Sequence, residues 1–403
     1  MSGLPTVLQP AWPLFKRGHR LATLWLGFLT RLLGRLPAPL LRGRGVPRGA
    51  WPSTVVTAER TGGAVVHPAG PAEVREVPPA CGDPAGHWVF ASRSTLEIPA
   101  RHTLELPHGT VIGDYGAVMT ADRMLDFETS SYFGIAGWRE HPVFLRPLLP
   151  PVEHVSGTLL NLTTRGTAVN YYHFLFDALP RLGILEESMP DASFDAVLVP
   201  HRTRYQQQLL ELIGLDAPLL QPERDRAWRA DRLLVPSTPN HELAAPAWVV
   251  QWIQQVLRPS RSTNTQGRRL YLTRGDRPNT RRYVPEPALW PELQRRGFQR
   301  VDAGTFSVQE QIDMFHDAEI VVGPHGAALT NIVFCRPGVK VLELFAADYV
   351  HLGLWNITHT TGADYRYLVA DGPDRPGRTM AGVLQDVDIP AERVLAEVDA
   401  LLG

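Results

Sequence analysis

The chain has 403 residues, 44% of them apolar and 20% charged, with a net charge of −1 near neutral pH. That length and apolar fraction allow two or three domains with substantial cores, while the near-zero charge gives no overall drive toward nucleic acid. The two cysteines, Cys81 and Cys335, cannot by themselves build a disulfide framework or a zinc site, so a reducing compartment is expected.

The charge is unevenly placed. Residues 1–48 hold eight Lys or Arg and no acid, which leaves −9 for the remainder. Leu21, Leu24, Trp25, Phe28, Leu32 and Leu36 recur at helical spacing, so residues 1–50 read as a basic amphipathic arm. Its apolar stretch, residues 21–29, is far shorter than the roughly 20 residues that span a bilayer. Peripheral contact of residues 14–48 with an anionic inner leaflet fits this pattern, and so does packing on the arm's own domain or on another subunit.

Residues 51–150 are rich in Pro and Gly and are expected to form a β-rich region, with short strands at 54–57, 87–90 and 143–145 and further ones within 104–111 and 116–119. No motif there carries chemistry, and His102 and His108 are expected at the surface. Residues 151–257 alternate strands (155–161, 196–199, 233–235) with helices (203–212, 247–257), the pattern of a Rossmann-like domain. Within it, Asn170 is a candidate helix cap. His173 and Asp177 follow at i, i+4 spacing, on one helix face. A carboxylate so placed can fix an imidazole's tautomer and raise its basicity, as a general base requires. A histidine that buttresses the helix start, with Asp177 solvated, is the plainer alternative.

A polar linker at 258–268 leads to a second alternation over 269–375: strands at 269–273, 298–302 and 365–369, and helices at 286–296 and 308–317. After the first strand comes a loop with Arg274, Arg277, Arg281 and Arg282, suited to neutralising phosphates or to facing solvent. Residues 318–345 form a compact β-loop-α-β unit. Its strands (319–322 and 339–344) flank Gly323-Pro324-His325-Gly326 and a helix-compatible segment at 327–334. Glycines permit close backbone approach, and a following helix start favours anions, so a diphosphate suits this turn. An ordinary strand-to-helix turn has the same pattern. A helix at 391–402 closes the last segment, 376–403. No P-loop, zinc spacing or Gly-x-Ser-x-Gly occurs. A nicotinamide-dependent oxidoreductase is disfavoured, because no Gly-x-Gly-x-x-Gly with an acid about 20 residues on is present.

Two stretches resemble glycosyltransferase family 61. One is Asn170-Tyr171-Tyr172-His173-Phe174-Leu175-Phe176-Asp177 with Pro180-Arg181-Leu182. The other is Gly323-Pro324-His325-Gly326-Ala327-Ala328-Leu329-Thr330-Asn331, followed by Phe334, Pro337-Gly338 and Glu343. Thr273-Arg274, Arg281, Glu286 and Gly297-Phe298 between them agree with the pattern, and the resemblance spans residues 156–367. Two positions depart from it: Pro285 stands where the family commonly has Asn, and Ala328 where Gly is frequent.

The resemblance implies an α/β GT-B-like architecture, two Rossmann-like domains facing a cleft. It also implies an inverting, metal-independent glycosyl transfer with no cofactor, from a nucleotide sugar linked to uridine diphosphate. The acceptor is a hydroxyl of a glycan or glycolipid, in surface polysaccharide biosynthesis at the cytoplasmic face of the membrane. His173 is then the base, oriented by Asp177. Asn170, Tyr172 and Arg181 lie on the acceptor side. Arg274, Arg281, Glu286, Gly323, Pro324, His325, Gly326, Ala327, Asn331 and Glu343 bind the donor, with Glu343 on the ribose. A catalytically inactive nucleotide-sugar-binding or scaffold protein at the membrane is the alternative.

Overall fold

The computed structural model describes residues 12–403 apart from 38–39, 42–43, 241–244, 261–266, 277–279 and 373–381, and only the backbone of 12–16. Arg42, Arg277, most of the linker 258–268 and the start of the segment 376–403 therefore lie outside the described residues. The chain divides into two compact units. The first comprises residues 1–71, 100–207 and 215–239, and the second 72–99, 208–214 and 240–403.

In the first unit, strands Ala227–Pro236, Val152–Asn161, Ala196–Leu198 and Leu219–Leu220 lie side by side and parallel. The first of these also pairs antiparallel with Arg101–Pro107 and Thr110–Ile112, so short strands from residues 49–126 extend the same sheet. The stretches 49–70 and 101–126 are thus part of one sheet with 152–236, whereas 72–99 falls to the second unit. Leu104, Leu159, Leu198 and Leu233, all inaccessible to solvent, form its core. After strand Val152–Asn161 and the loop 162–170 come helix Tyr171–His173, a π-helical turn at Phe174–Ala178 and helix Pro180–Ser188.

The second unit carries a six-stranded parallel sheet. Its order is Phe298–Val301, Arg268–Leu272, Ala318–Pro324, Lys340–Phe345, Asp364–Val369 and Cys81–Asp83. In chain order the first five strands read second, first, third, fourth, fifth. The connections therefore turn in opposite directions on either side of Arg268–Leu272, and the crevice at the carboxyl ends of that strand and Ala318–Pro324 is where such sheets bind ligands. Ser307 and Glu310 cap helix Val308–His316 reciprocally. Helix Ala391–Leu402 packs against Glu286–Arg295, and Arg296 grips Asp399 at 2.7 and 2.9 Å.

Three stretches expected as strands are helical: Thr54–Arg60, Trp88–Ala91 and the 3-10 segment Pro142–Leu145. In each a side chain caps the start, since Ser53, His87 and His141 accept from the backbone N–H of Val56, Val89 and Val143. A cap satisfies an otherwise orphaned donor and outweighs the weak β preference of a few branched or aromatic residues. His102, expected at the surface, is buried, 3.8 Å from Glu128, whereas His108 is exposed.

The amphipathic arm is helical over Trp12–Gly34, and it is packed the opposite way round from an ordinary surface helix. Gly27, Thr30 and Gly34 are its buried positions. A side chain on Gly27 would meet Phe144, and one on Gly34 would meet Val46 at 3.0–3.1 Å. Thr30 donates to the Phe144 carbonyl, Arg20 pairs with Glu140 at 2.6 Å, and Arg31 lies over the rings of Trp138 and Phe144. Leu21, Trp25, Phe28, Leu29 and Leu32 consequently point outward, each more than half exposed. No helix of the described residues is long and apolar enough to cross a membrane.

Candidate active site

Two loops in the second unit leave the carboxyl ends of Arg268–Leu272 and Ala318–Pro324, the strands flanking the reversal of strand order. Arg274 Nη1 and Arg281 Nε both point at the His325 carbonyl oxygen, at 3.4 and 3.3 Å. Arg281 also holds the Val383 carbonyl at 2.8 Å and lies 5.0 Å from the centre of the Tyr349 ring. It adopts a left-handed backbone, φ 62°, which costs a non-glycine residue about 1–2 kcal/mol and marks a place where geometry is imposed. Neither arginine makes an ion pair with a described residue. Asp386, whose charge reaches Arg274, is engaged by Arg282 at 3.2 Å. The Arg274 Nε is buried and lacks a hydrogen-bond partner among the described residues. Burial, with Arg281 adjacent, pulls the Arg274 pKa down to about 10. Two neighbouring guanidiniums without a carboxylate are an arrangement that an anion relieves.

The turn itself differs in two ways from the sequence expectation. Residues 327–334 are helical, but as 3-10 turns over Ala327–Phe334 rather than an α-helix. Its glycines serve space rather than conformation, since neither Gly323 nor Gly326 adopts a left-handed backbone, Gly326 being extended at φ 173°. A Cβ on Gly323 would strike Leu272 of the neighbouring strand at 2.9 Å, and one on Gly326 would fall on the Arg274 guanidinium. Gly326 thus makes room for an arginine.

His325 and Glu343 form a buried pair. His325 Nδ1 lies 2.5 Å from Glu343 Oε1, and Tyr365 donates its hydroxyl to Oε2 at 2.6 Å. The His325 ring stacks on Phe345. Burial lifts the Glu343 pKa to about 8, and burial together with Arg281 and Arg274 holds His325 down at about 3. Near neutral pH the pair is therefore a carboxylic acid donating to a neutral imidazole, which puts the ring hydrogen on Nε2 and makes His325 a donor. Glu343 has no exposed surface and both its oxygens are occupied. Contact with a ribose would require one of those bonds to open.

Glu286 and Asn331 are likewise held internally. Glu286 is buried and accepts from Tyr271, Thr273 and Arg300, at 3.1, 2.8 and 2.7 Å. Asn331 donates to Gln311 at 2.8 Å and to the Ala328 carbonyl at 3.1 Å. Pro324 ends its strand in the core, and Ala327 begins the 3-10 segment, half-buried.

In the first unit, Asn170 caps the helix by accepting from Tyr172 N at 2.9 Å. His173 Nδ1 meets Asp177 Oδ2 at 2.6 Å, across the start of the π-helical turn, a distortion often found at functional positions. Asp177 is buried and His173 is 13% exposed at its side chain, which leaves Nε2 as the nitrogen not taken by Asp177. Gly166, at φ 94°, covers the ring so closely that a Cβ would lie 2.7 Å from Cδ2. Phe133 lies on the ring at 5.0 Å between centroids. Arg181 is fully buried. It donates to the Asn161 carbonyl at 3.3 Å, and its pKa is drawn down to about 10 by burial, against which the Asp177 charge acts. Arg181 therefore lies behind the His173–Asp177 pair and has no exposed surface of its own. Tyr172 is buried too, stacked on Phe176 at 5.1 Å.

His173 and Asn170 line a cavity of about 690 Å³ within this unit. Much of its wall comes from residues that the sequence reading passed over: Asp114, Tyr132, Phe133, Arg146 and Arg165. The available signal was a scatter of aromatic and arginine residues in loops beside Pro and Gly, which by itself marks any surface loop.

The family model described as Glycosyltransferase 61 matches residues 171–342. Over these residues, under half of the chain, it is similar to glycosyltransferase family 61. The family segment opens one residue after Asn170 and ends one before Glu343, so it takes in His173, Asp177, the arginine pair and the Gly-Pro-His-Gly turn. A stretch of 66 residues, 16% of this chain, is 32% identical to the beta-1,2-xylosyltransferase RCN11 of Oryza sativa subsp. japonica, of which it covers 12%. The family 61 segment includes both the His173–Asp177 pair of the first unit and the arginine pair of the second.

Proposed function

We propose that the chain is an inverting, metal-independent glycosyltransferase that moves a sugar from a nucleoside-diphosphate donor, with uridine diphosphate as the carrier, to a hydroxyl of a glycan or glycolipid in surface polysaccharide synthesis. The observation that carries this reading is the pair Arg274 and Arg281, which makes no ion pair among the described residues, at the strand-order reversal of the second unit. Two guanidiniums and the His325 Nε2–H present positive charge and donors of the kind that stabilise a leaving diphosphate. His173, backed by Asp177, is the base: its Nε2 takes the acceptor hydroxyl proton as that oxygen bonds to the anomeric carbon. The bond from that carbon to phosphate breaks, and its electron pair leaves on the diphosphate. Each unit, taken by itself, contains a run of parallel strands, as a GT-B fold requires of its two domains, and the rice relative's name keeps a pentosyl donor in scope beside a hexosyl one. A thermal-shift screen against nucleoside diphosphates and nucleotide sugars tests the donor side, since a ligand of the native state raises its apparent stability. Stabilisation by uridine diphosphate, lost in R274A, is expected, and no shift with any nucleotide would refute the reading.

The outward apolar face of helix Trp12–Gly34 supports a peripheral position on the cytoplasmic face of an anionic membrane. The helix exposes Trp25, Phe28 and a row of leucines, with Arg17 and Arg35 exposed beside them and no acid anywhere in residues 1–48. Apolar insertion and attraction to anionic headgroups add together at such a face. The full chain is expected to float with phosphatidylglycerol vesicles and not with phosphatidylcholine alone, and W25S/F28S to abolish flotation. Equal flotation of that variant, or a dimer in solution that W25S/F28S dissociates, would assign the face elsewhere.

A further inference from the structure

We propose that the cavity beside His173 is an anion-selective subsite, and that the acceptor sugar carries a carboxylate or a phosphate. This rests on the reading of His173 as the acceptor-side base and adds the chemical class of what it meets. Three arginines line the cavity, Arg146, Arg165 and Arg224, against one acid, Asp114. Their surroundings show that most of this charge is uncommitted. Arg165 is half-buried, makes no hydrogen bond or ion pair among the described residues, and lies with its guanidinium 3.7 Å from the centre of the Tyr132 ring. Burial lowers its pKa, and Asp114 offsets this only through space. Arg224 is exposed, with only its backbone carbonyl engaged, by Arg146 at 2.9 Å. Arg146 reaches the largely exposed Asp225 at 3.7 Å, too long for a hydrogen bond.

A guanidinium held in a partly dry wall without a counter-ion is poorly solvated, and an arriving carboxylate or phosphate restores what burial removed. The loop that holds it is fixed. Thr167 Oγ1 donates to the Thr164 carbonyl at 2.7 Å, Gln206 holds the Thr167 carbonyl at 3.1 Å, and Asn170 caps the helix that follows. Arg165 and His173 thus stand at the two ends of one short, braced segment. The volume falls within the range of sites that enclose a small ligand, and the rings of Tyr132 and Phe133 offer an apolar face for a sugar. The donor diphosphate has its own arginine pair in the other unit, so it does not account for the charge here.

The test is saturation-transfer NMR on the full chain with three probes: methyl glucuronide, glucose 1-phosphate and neutral methyl glucoside. The glucuronide or the phosphate, or both, are expected to bind at least ten-fold more tightly than the glucoside, and which of them does identifies the charged group. R165Q should cost the preferred anion about ten-fold and leave the glucoside unchanged. R274A should leave that binding intact, which separates this cavity from the donor loop. Equal binding of charged and neutral probes, or anion binding undiminished in R165Q, would overturn the subsite. The thermal shift with uridine diphosphate, measured alongside, reports the donor reading separately: its absence would sink that reading while anion selectivity stood, and its presence without selectivity would sink the subsite alone.

Discussion

Replacing Glu343 by Gln probes the electrostatics of the His325 turn with a definite sign. An unfolded glutamate titrates near 4.3, whereas the buried Glu343 carboxyl is pushed up to about 8. Between those values the folded chain holds one more proton than the unfolded chain. The stability linked to that proton is fully present below the unfolded pKa and is lost as pH rises toward the folded one. One proton corresponds to a little over 1 kcal/mol per pH unit, so from pH 5.5 to 7.5 the native chain should lose about 2–3 kcal/mol relative to E343Q, whose amide does not titrate. His325 is held down at about 3 and acts the other way: the folded state loses stability as pH falls below the unfolded histidine's 6.5. That loss occurs in both proteins and cancels in the difference. Urea denaturation of the two proteins at pH 5.5, 6.5 and 7.5, followed through the unfolding of the second unit, measures it. If the pair were instead imidazolium and carboxylate, the Glu343 pKa would be depressed. The native chain would then not weaken relative to E343Q over this window, and the assignment of His325 as an Nε2–H donor would fall.

Four further outcomes follow from the two sites. R274A and R281A should each weaken binding of uridine diphosphate by roughly 10- to 100-fold in calorimetry, the scale of a charge-assisted hydrogen bond, with little change in urea midpoints, because among the described residues neither arginine makes an ion pair and both donate only to backbone carbonyls. G326A should weaken the same binding with little loss of stability, since the added methyl meets the movable end of Arg274 rather than backbone; a large fall in stability with affinity intact would contradict that. H173A should lower kcat by about 10²- to 10⁴-fold, the usual contribution of a general base, and leave the donor KM near its native value. D177N should lower kcat in the same direction through the tautomer, and its pH profile separates that effect from misfolding.

The parts legible in the sequence are those whose signal is local. Five strands of the second unit's sheet and its helices Glu286–Arg295 and Val308–His316 follow from apolar periodicity, with Pro337-Gly338 preceding a strand, whereas strand Cys81–Asp83 and helix Gly353–Thr361 were not expected. Helix Ala391–Leu402 coincides with its apolar spacing. The short helices after Ser53, His87 and His141 were not legible, because a single cap decided each against a β-like composition. The burial of two candidate site residues was hidden for a different reason. Arg181 and Glu343 are of types that ordinarily face water, yet both are completely buried, one behind the His173–Asp177 pair and the other within the His325 pair, and both pairs exist only once the chain is folded. The outward face of helix Trp12–Gly34 was half legible: its spacing marks an apolar stripe, but only the fit of Gly27, Thr30 and Gly34 against residues 46 and 138–144 determines that the stripe points away from the protein.

The two histidines show how one local motif serves opposite purposes. His173 and His325 each meet a carboxylate through Nδ1, at 2.6 and 2.5 Å, and from those distances alone they are indistinguishable. What differs lies behind each pair. Beneath Asp177 stands Arg181, a buried guanidinium whose charge that carboxylate counters, so a positive imidazole forming at His173 finds a negative partner already maintained. Beside His325 stand Arg274 and Arg281, which oppose a proton on the ring, while Glu343 faces a tyrosine hydroxyl in place of a cation. The first setting suits a group that must gain a proton during reaction. The second suits one that must stay neutral and donate. In the proposed mechanism the division of labour between base and diphosphate donor is therefore set by which side of the pair the arginine occupies, and exchanging the histidines' partners alone, as in D177E or E343D, should not exchange their roles.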